Sequence, residues 1–292
     1  MLHRLVYADW EAPPDAMGFE MSLGEVLERI WTLLPAILRD RDAALAAPAA
    51  MPARFWDDCL DLYLATPALV NVALNYKICV EQGLPLHPTH YFEVNDLNRN
   101  TQTYPVAMVD GANAMFLHAI TVARAVYALD PEAPRLLARF RRELPLMLHG
   151  FIYLSVKDKY TWRASEPRKI ASLAETVGRA MRPVVIVGAA HGSIMSGLVF
   201  ANLVGAPLYF IRFSMFKRND KVPIIAPSDR AWLEAYQEGP ALLFDEDVAK
   251  GTTLTRFGEA LRPMFRECST ASVLRHSLSP CWPDFIGHAW ND

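Results

Sequence analysis

The sequence lacks several features that would point to a partner or a compartment. Among its 292 residues, 29 Lys and Arg stand against 32 Asp and Glu, so there is no basic excess to attract a nucleic-acid backbone. The four cysteines are scattered without C-x-x-C spacing, which is typical of neither a metal box nor a disulfide framework. Asp9 and Glu11 interrupt the N-terminal stretch where a signal peptide needs an apolar core, and we expect no window with the roughly 18 apolar residues of a membrane span. These absences predict a cytoplasmic protein that binds neither nucleic acid nor a membrane.

The first part of the chain, residues 1–163, is predicted to be mainly helical. Ser22 and Glu25 form a capping box, and apolar residues follow at helical spacing. Further helices, each bounded by Pro, Gly or Asp, are expected at 54–64, 67–81, 111–129 and 131–144, with a strand at 151–156. Beyond a helix at 165–181, strands are predicted at 183–188, 207–212, 241–244 and 270–275, with helices between them. This alternation predicts a parallel sheet with helices on both faces and ligands beyond the carboxyl ends of the strands.

The stretch A-L-L-F-D-E-D-V-A-K-G-T-T-L, which ends at Leu254, combines acids with an anion-binding turn. An apolar strand ends by presenting Asp245 and Glu246, whose carboxylates can accept hydrogen bonds from a vicinal diol or hold a hydrated Mg2+. The following turn supplies backbone N–H groups, two hydroxyls and the start of a helix dipole, and Gly251 permits a tight backbone. Acids for a diol and amides for a phosphate fit a ribose 5-phosphate.

A second segment lies upstream of this cradle. The apolar run 183–188 predicts a buried parallel strand, and it is followed by the loop A-A-H-G-S and a helix that ends at Gly205. The next strand ends in Arg212. Residues 213–229 have no helical period and include the basic residues Lys217, Arg218 and Lys221, so we expect a mobile basic loop there.

Together these segments resemble the type I phosphoribosyltransferases, enzymes that use phosphoribosyl pyrophosphate (PRPP) as donor. The resemblance covers roughly residues 164–278. It implies an α/β fold, with the parallel-sheet core of a type I phosphoribosyltransferase at 164–278, a large mainly helical N-terminal region at 1–163 that forms a hood or accessory region, and a C-terminal tail at 279–292.

The resemblance also implies roles for individual residues. Asp245 and Glu246 would hold the ribose hydroxyls and the Mg2+ that accompanies PRPP, and Arg212 and Lys217 would hold the pyrophosphate. The remaining donor-binding positions are Ala189, Ala190, His191, Gly192 and Ser193 in the pyrophosphate loop, and Val248, Ala249, Lys250, Gly251, Thr252 and Thr253 in the 5-phosphate loop.

Three positions depart from the family's pattern. Ala249 stands where an Asp or Thr often helps to take the acceptor's proton, so activation of the acceptor has to come from elsewhere, with Asp247, His191 and the helical region as candidates. Asp247 replaces an apolar residue, and we expect it to be structural or solvated. His191 replaces a small or varied residue in the pyrophosphate loop, where it could donate to an anion.

The implied function is transfer of the 5-phosphoribosyl group from Mg-PRPP to a nitrogenous acceptor, a nucleobase or a specialised metabolite, with release of pyrophosphate. The implied partners are PRPP and a small-molecule acceptor, and a homodimer is compatible with the family. Two alternatives stay open. Ala249 favours a PRPP-binding regulator or scaffold without turnover, whereas a nucleotide-binding hydrolase on a similar sheet would share only the fold.

Overall fold

The computed structural model describes residues 1–90, Val94, 102–215 and 218–290. The described residues fall into two compact units. The first contains residues 1–90 and 102–157, and the second contains Val94 and residues 158–290. The predicted fold class, a parallel sheet with flanking helices preceded by a large helical region, is confirmed.

Among the residues that the structure describes, the first unit contains five α-helices and one two-stranded sheet. Its elements are β1 (Phe19–Ser22), α1 (Leu23–Ala46), α2 (Ala53–Ala65), α3 (Pro67–Glu81), α4 (Val106–Ala128), α5 (Ala133–Glu143) and β2 (Ile152–Ser155). The strands β1 and β2 pair antiparallel. The predicted capping box is confirmed: Glu25 N donates to Ser22 Oγ at 3.2 Å, and Ser22 N donates to Glu25 Oε2 at 2.7 Å.

Helix α4 corrects one expectation from the sequence. It is long and apolar enough to cross a membrane by length and composition alone, because its charged residues are few and well separated. Its buried residues, among them Phe116, Ile120 and Val126, pack within the first unit, where α4 lies against α3 and α5. The core helix of a soluble protein has the same composition, so one such helix is weak evidence for a membrane span.

The second unit contains a five-stranded parallel sheet. Its elements are α6 (Lys159–Ala164), α7 (Pro167–Ala180), β3 (Val185–Ala190), α8 (Ile194–Val204), β4 (Leu208–Arg212), α9 (Pro227–Glu234), β5 (Pro240–Val248), α10 (Thr252–Leu261), β6 (Glu267–His276) and β7 (Phe285–Trp290). The strand order is β4-β3-β5-β6-β7, and every neighbouring pair is parallel. Strands β3 and β4 are buried along their whole length, which explains their continuous apolar sequences.

The sheet extends beyond the core that the sequence predicted. Strand β7 lies inside the predicted tail 279–292, and its Phe285 pairs in register with Ala271 of β6. Gly287 is needed in β7 because a Cβ there would lie 2.7 Å from the carbonyl oxygen of Lys169 and 2.9 Å from that of Val273. Helix α6 also belongs to the second unit, so the structural division falls at 157/158 and not at the predicted 163/164.

The strand order creates a crevice between β3 and β5. From β3 the chain moves outward to β4, and from β5 it moves in the opposite direction to β6. In an open parallel sheet, the carboxyl ends of the two strands at such a reversal are separated by diverging connections, and ligands bind there. The loop 191–193 follows β3 and the turn 249–251 follows β5, so both sequence motifs lie at this crevice.

Candidate active site

A cavity of about 390 Å3 lies at the carboxyl ends of β3, β4 and β5 in the second unit. Its lining consists of Asp158, Tyr160, Thr161, Ala189, His191, Gly192, Phe213, Ser214, Met215, Asp245, Glu246, Asp247, Ala249, Lys250, Gly251, Thr252 and Thr253. The structure therefore brings together residues from both predicted donor-binding loops and the acids between them. A volume of this order is within the usual range of small-molecule sites.

The turn after β5 has the geometry of an anion-binding helix start. Gly251 has a φ of 73°, a left-handed conformation that glycine adopts without steric cost. It directly precedes α10, whose first backbone N–H groups have no partner within the helix. A Cβ at Gly251 would also collide with the Cβ of Cys281. Lys250, Thr252 and Thr253 line the cavity around this turn, so it is suited to a phosphate.

The loop after β3 is held close to the acids of β5. A Cβ at Gly192 would overlap the carboxylate of Glu246, with 2.5 Å to Glu246 Cδ. Ser193 is fully buried, and its Oγ donates to the carbonyl oxygen of Ala189 at 2.7 Å. The peptide bond between Ala190 and His191 is cis. His191 and Gly192 line the cavity, whereas Ala190 and Ser193 do not.

Asp245 and Glu246 form a pair of adjacent carboxyl groups near the end of β5. Asp245 is only 5% exposed, and Glu246 N donates to Asp245 Oδ1 at 3.1 Å. Burial raises the pKa of Asp245 well above its usual value, and the charges of Glu246 and Asp247 raise it further. Burial is also the main cause that raises the pKa of Glu246, with Asp247 and Asp158 adding to it. A bound cation or hydrogen-bond donor would relieve this accumulation of negative charge.

Asp247 lines the cavity and contacts a histidine that the sequence did not single out. Its Oδ1 lies 3.0 Å from Nε2 of His276, at the end of β6. The expectation that Asp247 is merely structural or solvated is incomplete, since its side chain is largely buried and faces the site. The His276 ring packs against Tyr160 and Trp290, with centroids 5.6 Å and 4.6 Å away.

Arg212 lies apart from the cavity. It is 2% exposed, and its guanidinium donates to Asp220 through Nε at 3.2 Å and through Nη2 at 2.9 Å. Asp220 also accepts from Ser214 N at 2.8 Å, and Ile224 N donates to Arg212 O at 2.9 Å. Arg212 is not among the residues that line the cavity, and its ion pair with Asp220 organises the segment after β4. A buried arginine requires such a partner because an unpaired charge inside a protein is costly.

The other predicted positions divide between the cavity and the core. Val248 is buried under the turn and does not line the cavity, whereas Ala249 does. Lys217 lies outside the described residues. Sequence reasoning missed Asp158, Tyr160 and Thr161 at the start of α6, whereas Phe213, Ser214 and Met215 belong to the expected basic loop after β4. One signal was present: Asp158 caps α6 by accepting from Tyr160 N at 3.0 Å and Thr161 N at 3.1 Å, as an N-cap aspartate does.

Known proteins resemble this chain only in fold. No family model and no curated protein matches it. A purine phosphoribosyltransferase from Pyrococcus horikoshii Ot3 is 22% identical, with 44% of this chain and 86% of that chain covered at a TM-score of 0.36. A hypoxanthine phosphoribosyltransferase from Staphylococcus aureus is 17% identical, with 43% and 76% covered and a TM-score of 0.34. A hypothetical protein from Neisseria gonorrhoeae with bound ppGpp is 14% identical, with 43% and 79% covered and a TM-score of 0.36.

Proposed function

We propose that this protein is a phosphoribosyltransferase that moves the 5-phosphoribosyl group of PRPP to a nitrogenous acceptor and releases pyrophosphate. The observation that carries the proposal is the single cavity lined by Gly192, the acids Asp245 and Glu246, and the turn at Gly251. A phosphate site, a diol site and a second anion loop in one cavity match the three polar parts of PRPP. A sugar monophosphate offers no second anionic group for the loop after β3.

In this proposal the donor lies across the crevice between β3 and β5. The amides and hydroxyls of Thr252 and Thr253 bind the 5-phosphate at the start of α10. The carboxylates of Asp245 and Glu246 accept hydrogen bonds from the ribose hydroxyls, as ionised acids do well. The loop at His191 and Gly192 faces the pyrophosphate. Such fixed contacts favour reaction by holding C1 of the ribose in line with the incoming nitrogen.

The acids also fit the Mg2+ that accompanies PRPP. Among the described residues there is no group of three or more His, Cys, Asp or Glu side chains that could hold a metal alone. Mg2+ bound with a phosphorylated substrate typically takes only one or two carboxylates from the protein, so Asp245 and Glu246 suffice. When bound, the ion would neutralise charge on the pyrophosphate and on this acidic pair.

The chemical step breaks the bond between C1 and the pyrophosphate oxygen and forms a bond from C1 to the acceptor nitrogen, which then loses its proton. Negative charge grows on the leaving group, where the donors of the loop after β3 stabilise it. Ala249 cannot accept the acceptor's proton. Asp247, two residues before Ala249, is a carboxylate that lines the same cavity, and we assign it to the acceptor.

A PRPP-binding regulator without turnover is the second candidate. Two observations favour it: Ala249 at the place where an acid or hydroxyl could assist, and Arg212 committed to Asp220 inside the protein. Such a protein would keep the donor cradle and lose the chemical step.

One pair of measurements separates these functions. Calorimetric titration with Mg-PRPP is expected to show binding, and incubation with nitrogen heterocycles is expected to release pyrophosphate with one of them. Binding without release would favour the regulator, and absence of binding would refute both. The double variant Asp245→Asn/Glu246→Gln should bind PRPP at least about tenfold more weakly because charged acceptors are lost. Glu259→Gln on the exposed face of α10 is the matched control.

A further inference from the structure

The connection between β6 and β7 is an ordered strap, which we define as residues 277–284. It contains no helix or strand, yet both of its ends are bonded to the sheet. Ser277 N donates to the carbonyl oxygen of Trp290 at 2.8 Å. At the other end, Asp284 Oδ2 accepts from Thr270 N at 2.7 Å and from Thr270 Oγ1 at 2.8 Å. The strap is therefore anchored on β6 and β7 at both ends.

Arg275 organises the middle of the strap from inside the protein. It is 3% exposed, and its guanidinium donates to the carbonyl oxygen of Ser279 through Nη2 at 2.5 Å and to that of Cys281 through Nε at 2.9 Å. The guanidinium also lies over the ring of Trp282, with Cζ 3.4 Å from the ring centroid. Arginine suits this place because its planar fork carries five donors in fixed directions and packs on an aromatic face. A lysine has neither the fork nor the flat surface.

The part of the strap that Arg275 holds lies against the anion-binding turn. In the sheet register Arg275 is paired with Val248, the last residue of β5 before that turn. A Cβ added at Gly251 would collide with the Cβ of Cys281 and lie 2.9 Å from its Sγ. Thr255 Oγ1 of α10 donates to the same Sγ at 3.8 Å. Cys281 therefore packs directly on the turn, and Arg275 holds it there by its carbonyl oxygen.

The strap acts on a ligand only through the turn, because neither Arg275 nor Cys281 lines the cavity. A phosphate at the start of α10 is bound by backbone N–H groups, and their directions depend on the conformation of Gly251. Donors that are already fixed before the ligand arrives need no ordering when it binds, and such preorganisation strengthens binding.

We infer that Arg275 is a positioning residue for the 5-phosphate of the donor: it holds the strap against Gly251 and so fixes the backbone N–H groups of the turn. The inference rests on the proposed transferase function for the identity of the donor, and it adds a determinant of phosphate affinity that lies outside the cavity. Its effect is confined to the 5-phosphate, since the loop that faces the pyrophosphate follows β3, on the other side of β5 from the strap.

Calorimetric titrations of the whole protein with ribose 5-phosphate and with Mg-pyrophosphate separate the two anion sites. Arg275→Lys should raise the Kd for ribose 5-phosphate about tenfold or more and leave the Kd for Mg-pyrophosphate within about twofold. Arg266→Gln, which changes an exposed arginine just before β6, is the matched control and should alter neither. An equal loss of affinity for both ligands would show a general structural role and overturn the inference. A Kd for ribose 5-phosphate within about twofold of the control would overturn it as well.

Trp282→Ala keeps the test decisive even where Arg275→Lys does not fold. Trp282 is 73% exposed, so its removal takes away the surface under the guanidinium without opening the core. The Kd for ribose 5-phosphate should rise about threefold or more while that for Mg-pyrophosphate stays the same, and unchanged binding of both would contradict the inference. A wild type that binds ribose 5-phosphate but not Mg-PRPP would refute the proposed function alone, whereas one that binds no ribose 5-phosphate would overturn the inference.

Discussion

Replacing Gly192 by alanine tests the contact on which the donor site depends. The loop after β3 approaches Glu246 so closely that an added Cβ would lie 2.5 Å from the carboxyl carbon and 2.8 Å from Oε2. Ordinary van der Waals contact begins at 3.4 Å. The side chain of Glu246, the loop, or both must therefore move by more than about 0.9 Å, the difference between the 2.5 Å and 3.4 Å separations, because Oε1 of Glu246 lies closer to the added Cβ than the carboxyl carbon does.

The expected cost follows from that displacement. Adding a methyl group to a packed site typically destabilises a protein by about 1–3 kcal/mol. Hydrogen bonds from a ligand to a charged group contribute about 1.5–3 kcal/mol each, and losing one by displacement weakens PRPP binding by roughly 10- to 100-fold. Turnover should fall by a similar or larger factor, since a shift of about 1 Å in a reacting group can cost 100-fold.

Calorimetry with Mg-PRPP and thermal unfolding of the free protein measure the two effects. Gly178→Ala is the matched control, because Gly178 is an exposed residue of α7 with nothing within 4 Å of an added Cβ. The free energy of unfolding of this control should rise by about 0.5–1 kcal/mol because alanine favours a helix more than glycine does, and the control should bind PRPP as the wild type does. The reasoning is refuted if Gly192→Ala binds PRPP within twofold of the control.

Three further predictions concern the turn, the acids and the buried ion pair. Gly251→Ala should destabilise the protein by more than about 1 kcal/mol and weaken PRPP binding. Adding Cys281→Gly should restore only part of the lost stability, because the positive φ still disfavours alanine. Chemical unfolding of both variants measures these changes. Asp245→Asn should weaken PRPP binding, but it should stabilise the free protein relative to the wild type, and increasingly so as the pH rises from about 5 to 8. The reason is that the raised pKa of Asp245 makes the folded wild type hold a proton that the unfolded chain releases. A stability difference that is independent of pH would contradict this cause. Asp220→Asn should destabilise the protein by about 3–5 kcal/mol by removing the buried carboxylate that pairs with the Arg212 guanidinium, whereas Arg212→Met with Asp220→Leu should cost much less. Equal losses of stability in urea unfolding would show that this ion pair is not the reason.

The parallel strands next to the site were predictable because burial on both faces leaves a simple signal. Strands β3 and β4 are continuous apolar runs bounded by Pro and Gly, and the structure contains both within two residues of the expected bounds. Strand β5 was expected to end at Phe244 but continues to Val248. Apolarity stops at the acids, whereas the hydrogen-bonded ladder does not, since Asp245, Asp247 and Val248 still pair with β6. The apolar pattern indicates which residues are buried. At the carboxyl end of a strand, residues can still be hydrogen-bonded to the next strand after the buried, apolar part has ended.

Two other elements of the second unit were missed for different reasons. Strand β7 is half exposed and carries Gly287 and His288, so neither its apolarity nor its propensity marks it as a strand. Helix α9 begins inside the expected basic loop 213–229 and extends beyond it to Glu234. Its start had a signal: Pro227 at the first position and Asp229, whose Oδ2 accepts from Ala226 N at 2.7 Å. Predicting β7 requires tertiary information, whereas the start of α9 is indicated by its capping residues.

The segment after β4 shows why an ion pair cannot be placed by sequence alone. A basic residue at the end of a strand can face a ligand or the interior, and the local sequence is the same in both cases. Arg212 is internal because Asp220 supplies a bidentate partner eight residues later and also binds Ser214 N. The pairing depends on how the segment turns, and the turn itself depends on the pairing. The sequence therefore identified a basic residue at the right strand end and gave no means of deciding which way it faces.

The run Asp245-Glu246-Asp247 also shows that the local sequence does not determine what a charged side chain contacts. In the sequence it is one acidic cluster, and the separate role expected for Asp247 came only from its departure from the family's pattern. In the structure each acid has its own contacts: Asp245 accepts from Glu246 N, Glu246 lies against Gly192 and accepts from Thr161 Oγ1 at 3.5 Å, and Asp247 contacts His276 on the neighbouring strand. Under the proposed function the first two would bind the donor, whereas the contact with His276 sets Asp247 apart from them. Three adjacent carboxylates at the end of one strand thus have three different environments, and because these depend on α6 and β6, an acidic run in the sequence does not reveal them.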